Sequence, residues 1–243
     1  MTDPSAYDQF MAAFNDIEHH LRVGAYGDPD RAPSGFAKAL DEFKRKQPRR
    51  ISDAQVAELR MLGELRNALT HGRTSSDRRM AVPTEAAVDA VRRVRADFVH
   101  PPRIRLHLKL PTPAAVSPET GISDALQLMA RHDFSQLLVC DDRGKYVQLL
   151  TTNTIARWLS AEFTLNGGLA GEANVGAVLA HREATEAVLV RPDSLTTLEA
   201  ARDFALAAES GKPLTALIIT SSGKSHETPL AIVVASDIAS IVN

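Results

Sequence analysis

The residues of this chain whose types and spacing could do chemistry together are Arg66, Asn67 and His71, in the run Arg66-Asn67-Ala68-Leu69-Thr70-His71. Asn67 and His71 are i,i+4 neighbours, so on a helix the amide stands one turn from the imidazole and can hold it in one orientation. Arg66 lies roughly 140° round an ideal helix from His71. Its guanidinium is long enough to approach the same region near the helix end. An ordinary reading stands beside this one. A His in the last turn of a helix complements the dipole, and an Arg at the edge of an apolar stripe snorkels to water.

The element that must position these side chains reads as one helix from Asp53 to His71, with Asp53 as N-cap and Gly72 as the stop. Leu59, Leu62, Leu65 and Leu69 share one face at 100° per residue, and Gly63 is the only interruption. Three more helices surround it in sequence. The first covers about 5–22 with Ser5 as cap and Phe10, Phe14, Ile17 and Leu21 in its buried stripe. The second covers about 34–47. The fourth starts at Pro83-Thr84 and stops before Pro101-Pro102. The segment 23–33, with Gly24, Gly27, Pro29 and Pro33, reads as a loop. Short connections between four helices predict an up-and-down bundle over residues 1–100. His19 and His20 on the first helix could face the motif.

R-N-x-x-x-H at the end of the third helix of a small helical bundle resembles the signature of HEPN domains, and the stretch LRNALTHG is similar to a full version of it. The resemblance implies a metal-independent endoribonuclease that works as a homodimer, with the Arg-His motifs of two protomers facing one another. It gives His71 general acid/base catalysis as a ribose 2′-hydroxyl attacks the adjacent phosphodiester. Arg66 then neutralises charge on the pentacovalent transition state, and Asn67 orients His71 or the phosphate. Many HEPN domains have no nuclease activity and act as binding or dimerising modules. The resemblance therefore implies a non-catalytic function as well.

The second half of the chain is an internal repeat. Val116-Ser117-Pro118 opens a helix (Ser123–His132), two strands (Gln136–Cys140 and Tyr146–Leu150) and a helix from Thr152. Val190-Arg191-Pro192 opens the same series again, through strands Ala216–Thr220 and Leu230–Val234 to a helix start at Ser236-Asp237. The offset is 74 residues between Pro118 and Pro192 and 83 between Thr154 and Asp237, so the second copy has gained loop residues. Two β-α-β-β-α units in tandem are a duplication, and neither half-sheet is expected to be stable alone. The whole predicted class is therefore α + α/β. A linker over 101–113 precedes the pair at 114–243, whose copies span about 114–165 and about 175–243. The stretch Ile104–Leu110 within the linker alternates apolar and polar, which predicts an added strand.

This repeat resembles a pair of CBS domains, the tandem known as a Bateman module. The resemblance implies an adenine nucleotide (ATP, ADP or AMP) as regulatory ligand between the copies, and CBS pairs commonly associate into discs. The family's site uses a Thr/Ser-x-x-Asp motif, with the Asp on ribose hydroxyls and the helix start behind it favouring anions. The first copy reads Thr151-Thr152-Asn153-Thr154 and lacks the Asp. The second reads Val234-Ala235-Ser236-Asp237 and lacks the Thr. Asp237, with Ser236 and Val234, is the best ribose seat, and Thr151 and Thr154 belong to the other. An Asp near a helix start is also an ordinary cap.

Composition narrows the classes. Apolar content of 44% and charged content of 24% fit a soluble globular chain. No apolar run reaches the ~18–20 residues of a membrane span. The single cysteine, Cys140, excludes a disulfide framework and a cysteine-cluster metal site. No metal-ligand spacing occurs among the eight histidines, and neither a metal nor an obligate cofactor is expected. A cytoplasmic protein is the expectation. Net charge is −2, but residues 1–100 carry 16 basic and 15 acidic residues, against 12 and 15 in 101–243. Lys44, Arg45, Lys46, Arg49 and Arg50 cluster, as do Arg73, Arg78 and Arg79, and Arg92, Arg93 and Arg95. These could touch an RNA backbone or be solvated faces. Two functions follow: a nucleotide-regulated RNase, or a non-catalytic sensor or scaffold that binds a partner or RNA.

Overall fold

Phe43 and Gly24 explain much of how the helical unit closes. The first helix, α1 (Ala6–Tyr26), begins where the Ser5 hydroxyl accepts the Asp8 N–H at 3.3 Å. It buries Phe10, Phe14, Ile17 and Leu21. It then runs through Gly24, where the sequence reading placed a loop. A Cβ at Gly24 would stand 2.3 Å from Cε2 of Phe43, so the bare backbone is what lets the fully buried Phe43 ring pack against α1. The helix stops at Gly27, whose φ of 79° suits glycine. Burial of a ring of this size contributes about 1.5–3 kcal/mol. The second helix, α2 (Phe36–Lys46), supplies Phe43 and also Phe36, which uses Gly63 of α3 (Asp53–His71) in the same way at 2.9 Å.

The start of α3 differs from expectation. Ser52, not Asp53, is the cap: its hydroxyl accepts the Gln55 N–H at 3.1 Å, and Gln55 Oε1 accepts the Ser52 N–H at 2.9 Å. Asp53 instead pairs with Lys44. The fourth helix, α4 (Glu85–Val99), is capped by Thr84, which accepts the Ala87 N–H at 3.2 Å. Apolar faces of all four helices meet in one core that includes Phe10, Phe43, Leu59, Leu69, Val91 and Phe98.

The computed structural model describes residues 5–31, 35–71, 81–168 and 172–242. It divides into two compact units, Met1–Pro102 and Arg103–Asn243. Gly72, Arg73, Arg78 and Arg79 lie outside the described residues.

The second unit opens with a helical turn, α5 (Ile104–His107), rather than the strand expected there. The Ile104 N–H donates to Leu195 O at 2.9 Å, and Ile104 is buried with Leu195, Ala200 and Leu217. Arg105 pairs with Asp193, and Lys109, at φ 51°, ends the turn. The alternating pattern therefore serves to bury Ile104, with Leu108 and Leu110 half-buried against the same core.

Two three-stranded sheets follow, each with the same connectivity. In the first, β1 (Ala115–Val116) runs parallel to β2 (Gln136–Cys140), which is antiparallel to β3 (Tyr146–Thr151). Helix α6 (Ile122–His132) joins the first two strands, and α7 (Thr152–Asn166) follows the third. A short helix, α8 (Val175–Leu179), buries Val175 and Val178 in the same core and was not legible from periodicity. The second copy repeats the order as β4 (Ala187–Pro192), α9 (Thr197–Glu209), β5 (Leu214–Thr220), β6 (Ala231–Val233) and α10 (Ala235–Val242).

Strand alternation divides each sheet between two cores. Leu137 and Val139 face α6 and α7, while Leu138, Cys140 and Leu149 pack on Ala216 and Ile218 of the other copy. Helices thus cover the outer faces, and the inner faces cover one another. Each sheet needs its twin to bury both sides.

Candidate functional site

Leu59, Leu62 and Leu69 hold α3 against the core and leave the motif at its rim. Arg66 is half-buried, whereas Asn67 and His71 are exposed. The guanidinium donates from Nη1 to Asn67 Oδ1 at 3.2 Å, and its carbon lies 6.0 Å from the centre of the Phe14 ring. Its Nη2 is 4.0 Å from Glu18 Oε2 of α1, while Glu18 Oε1 accepts both Nε and Nη2 of Arg22. The Nε of Arg66 is buried with no hydrogen-bond partner among the described residues. Thr70 donates its hydroxyl to the Arg66 carbonyl. Arg66 and Asn67 are therefore brought together, and His71 makes no side-chain hydrogen bond with either. His20 does not join them: its ring lies 5.0 Å from that of Phe98 and 5.9 Å from that of Phe43.

The basic clusters of this unit are largely engaged by carboxylates. Lys44 pairs with Asp53 and Arg45 with Glu42, whose carboxyl is pulled down to about 2, chiefly by its hydrogen bond from Arg45. Arg93 pairs with Glu58 at 3.1 Å and Arg95 with Asp16 at 2.6 Å. Exposed pairs of this kind are worth little energetically. They do lower the positive potential offered to a phosphate backbone.

The second unit holds a pocket of about 360 Å³ at the edge where its two copies meet. One wall is the chain from Leu110 to Ala114. Another is the entrance to β2, from Asp133 to Gln136, and the floor is β6 into α10, with Ile232, Val234, Ser236 and Asp237. Three residues named from sequence therefore converge here. Asp237 Oδ2 accepts the Val234 N–H at 2.8 Å, as the third residue of α10 reaching back to the residue before the helix, the return half of a capping box. Its Oδ1 has no partner among the described residues. Cap and ligand roles are thus compatible, because the carboxylate has an oxygen for each.

A second pocket, of about 440 Å³, is assembled from the matching elements of the opposite copies: the chain before β4, the entrance to β5, and the turn from β3 into α7. Thr151 lines it. Thr154 is fully buried and lines neither pocket. Its hydroxyl lies 3.0 Å from that of Thr151, which also accepts the Thr154 N–H at 3.1 Å. Glu183 and Glu186 enter this pocket, and Asn153 Nδ2 donates to Glu183 Oε2 at 2.7 Å. One oxygen of Glu186 is buried without a partner.

Sequence reasoning missed Phe134. The left-handed Asp133 (φ 54°) ends α6 and turns the next residue into the first pocket, where the Phe134 ring remains 40% exposed. An aromatic between the end of a helix and an apolar strand was the available signal. In the second pocket the strand entrance presents Pro213 instead. Cys140 is a buried thiol pushed up by that burial and by Asp141, which suits packing rather than nucleophilic attack. Among the described residues no group of His, Cys, Asp and Glu is arranged to hold a metal ion. No helix is long and apolar enough to cross a membrane.

None of the curated proteins matches the chain. Among solved structures, CBSX2 in complex with AMP is 23% identical, over 56% of this chain and 93% of that one, at a TM-score of 0.39. A CBS domain-containing protein of unknown function from Kribbella flavida is 18% identical over 56% and 95%, at 0.40. The CBS-domain protein ATU1752 from Agrobacterium tumefaciens is 13% identical over 59% and 98%, at 0.43. Residues 108–161, which include most of the first copy of the repeat, match the model of the CBS domain family.

Proposed function

We propose that this is a CBS-pair regulatory protein in which an adenine nucleotide, bound over Asp237, controls the N-terminal helical unit. CBS domains commonly bind adenine nucleotides in regulatory roles. The observation that carries the reading is the convergence of Val234, Ser236 and Asp237 with Phe134 in one pocket, with Asp237 Oδ1 unengaged. The same pocket is walled by Leu110–Ala114, the continuation of the segment that leaves the helical unit at Pro102. A ligand that touches this wall has a covalent route to the first unit.

The helical unit is, in this reading, a four-helix up-and-down bundle of HEPN type that acts as a homodimeric, metal-independent endoribonuclease. His71 moves the proton, Arg66 neutralises the transition state, and Asn67 positions the guanidinium with which it is bonded. A second reading, a non-catalytic sensor or scaffold, draws support from two observations. Arg66 rests against Phe14, bonded to Asn67 and 4.0 Å from Glu18, and the surrounding basic side chains are paired. The two readings separate when purified protein is incubated with a mixed RNA pool in EDTA, with and without ATP, ADP, AMP and adenosine, beside the His71→Ala variant. Cleavage to 2′,3′-cyclic phosphate ends, lost in the variant and altered by nucleotide, supports the nuclease. Cleavage that survives in the variant at full rate overturns the role of His71, and none under any condition leaves the scaffold.

A further inference from the structure

The two pockets of the second unit share an electrostatic feature that bears on what they hold. Neither is lined by an Arg, a Lys or a His. The pocket over Asp237 carries two carboxylates, those of Asp133 and Asp237, and its twin carries those of Glu183 and Glu186. A phosphate brought to such a wall meets like charge from the exposed Asp133 and the half-buried Asp237, and repulsion by the second is stronger than in open water. The opposing term is the N-terminus of α10, which offers about half a positive charge. Asp237, in the first turn of that helix, already faces it. Two full negative charges outweigh one half-charge.

The remaining lining fits a nucleoside. Phe134, whose ring stacks on that of His132 at 5.2 Å between centres, is 40% exposed and lines the pocket; Leu138, Ile232 and Val234 are apolar, and Asp237 Oδ1 has no partner among the described residues. The twin pocket lacks these features. It presents Pro213 where the first has Phe134, and the hydroxyl of its Thr151 is engaged with that of the buried Thr154 behind it. Glu186 leaves a buried oxygen unpaired there, a poor setting for any further anion.

Building on the nucleotide reading above, we propose that the pocket over Asp237 selects the uncharged nucleoside: adenosine binds best, each added phosphate weakens binding, and one ligand binds per chain. The order of affinity is adenosine, then AMP, then ADP, then ATP. Asp133 is the residue that sets the order, because its carboxylate lines the pocket without capping α10.

Titration calorimetry of the full chain with adenosine, AMP and ATP, in the absence of divalent cations, tests the assignment. The expected result is a stoichiometry of one for adenosine and an ATP affinity at least about tenfold lower. Asp133→Asn keeps a residue that tolerates the left-handed backbone and removes the charge. In that variant the gap between adenosine and ATP narrows while adenosine affinity stays within about twofold. ATP binding as tightly as adenosine, or an unchanged gap in the variant, overturns the selectivity and leaves the nucleotide site standing. Two adenosines per chain overturns the asymmetry of the pockets. Binding of none of the three overturns the nucleotide reading itself, and the selectivity with it.

Discussion

Asp237→Asn separates the two tasks that the structure gives one carboxylate. Oδ2 accepts the Val234 N–H at 2.8 Å, and an Asn side chain in the same rotamer keeps a carbonyl oxygen for that bond. The stability change is therefore small, within about 0.5 kcal/mol. The other oxygen is what a ribose would use, and in Asn it becomes an amide that donates where two hydroxyls expect an acceptor. Hydrogen bonds to a charged acceptor are worth about 1.5–3 kcal/mol each, so one such loss weakens adenosine binding by between about tenfold and about a hundredfold. Asp237→Ala loses the bond to the Val234 N–H as well and should cost a further ~1 kcal/mol of stability. Titration calorimetry reads the affinity, and thermal unfolding without ligand reads the cap. An Asn variant that binds adenosine as the parent does refutes the ribose role. An Asn variant as unstable as the Ala variant refutes the division of labour between the oxygens.

Three other changes test the account elsewhere. Phe134→Ala removes a ring that is 40% exposed, so it should leave the fold nearly as stable while weakening nucleoside binding by about 1–3 kcal/mol, the usual worth of a stacked base; unaltered affinity by calorimetry would falsify the stacking role. Gly24→Ala places a methyl group 2.3 Å from the Phe43 ring and should lower stability by about 1–3 kcal/mol in chemical denaturation, and a neutral result would show that the ring does not need the bare backbone. His20 is held below its ordinary value of 6.5, first by burial and then by Arg50, His100 and His19. The unfolded chain therefore binds this proton more readily than the folded one. Stability from His20 is whole above pH 6.5 and falls as pH drops below it. The unfolding midpoint of the helical unit should fall between about pH 7 and about pH 5, and fall less in His20→Gln. An equal fall in both proteins would assign the effect to other groups.

The repeat was legible because short apolar strands and their helices recur with the same punctuation, and the observed β2, β3 and α6 lie within a residue or two of their expected spans. Gly24 misled because a glycine in sequence does not say whether it breaks a helix or makes room for a neighbouring ring, and only the position of Phe43 decides. The alternation in Ile104–Leu110 misled for a related reason: Ile104 is fixed by Leu195, just over ninety positions away in the chain, which outweighs local pattern. Asp237, Ser236 and Val234 could be named as a group because they are adjacent in sequence. Phe134 and Asp133 could not, since they come from the other copy and only the facing sheets bring them to the same pocket. The Arg66–Asn67 contact was within reach of spacing, whereas Glu18 and Phe14 on α1 were not.

The most direct test of the central claim is a crystal structure of the full chain grown with adenosine. The account predicts one nucleoside in the pocket between Leu110–Ala114 and α10, its ribose hydroxyls within hydrogen-bond reach of Asp237 Oδ1 and its base against Phe134. A nucleoside seated instead beside Glu183 and Glu186, or no nucleoside at all, would contradict it.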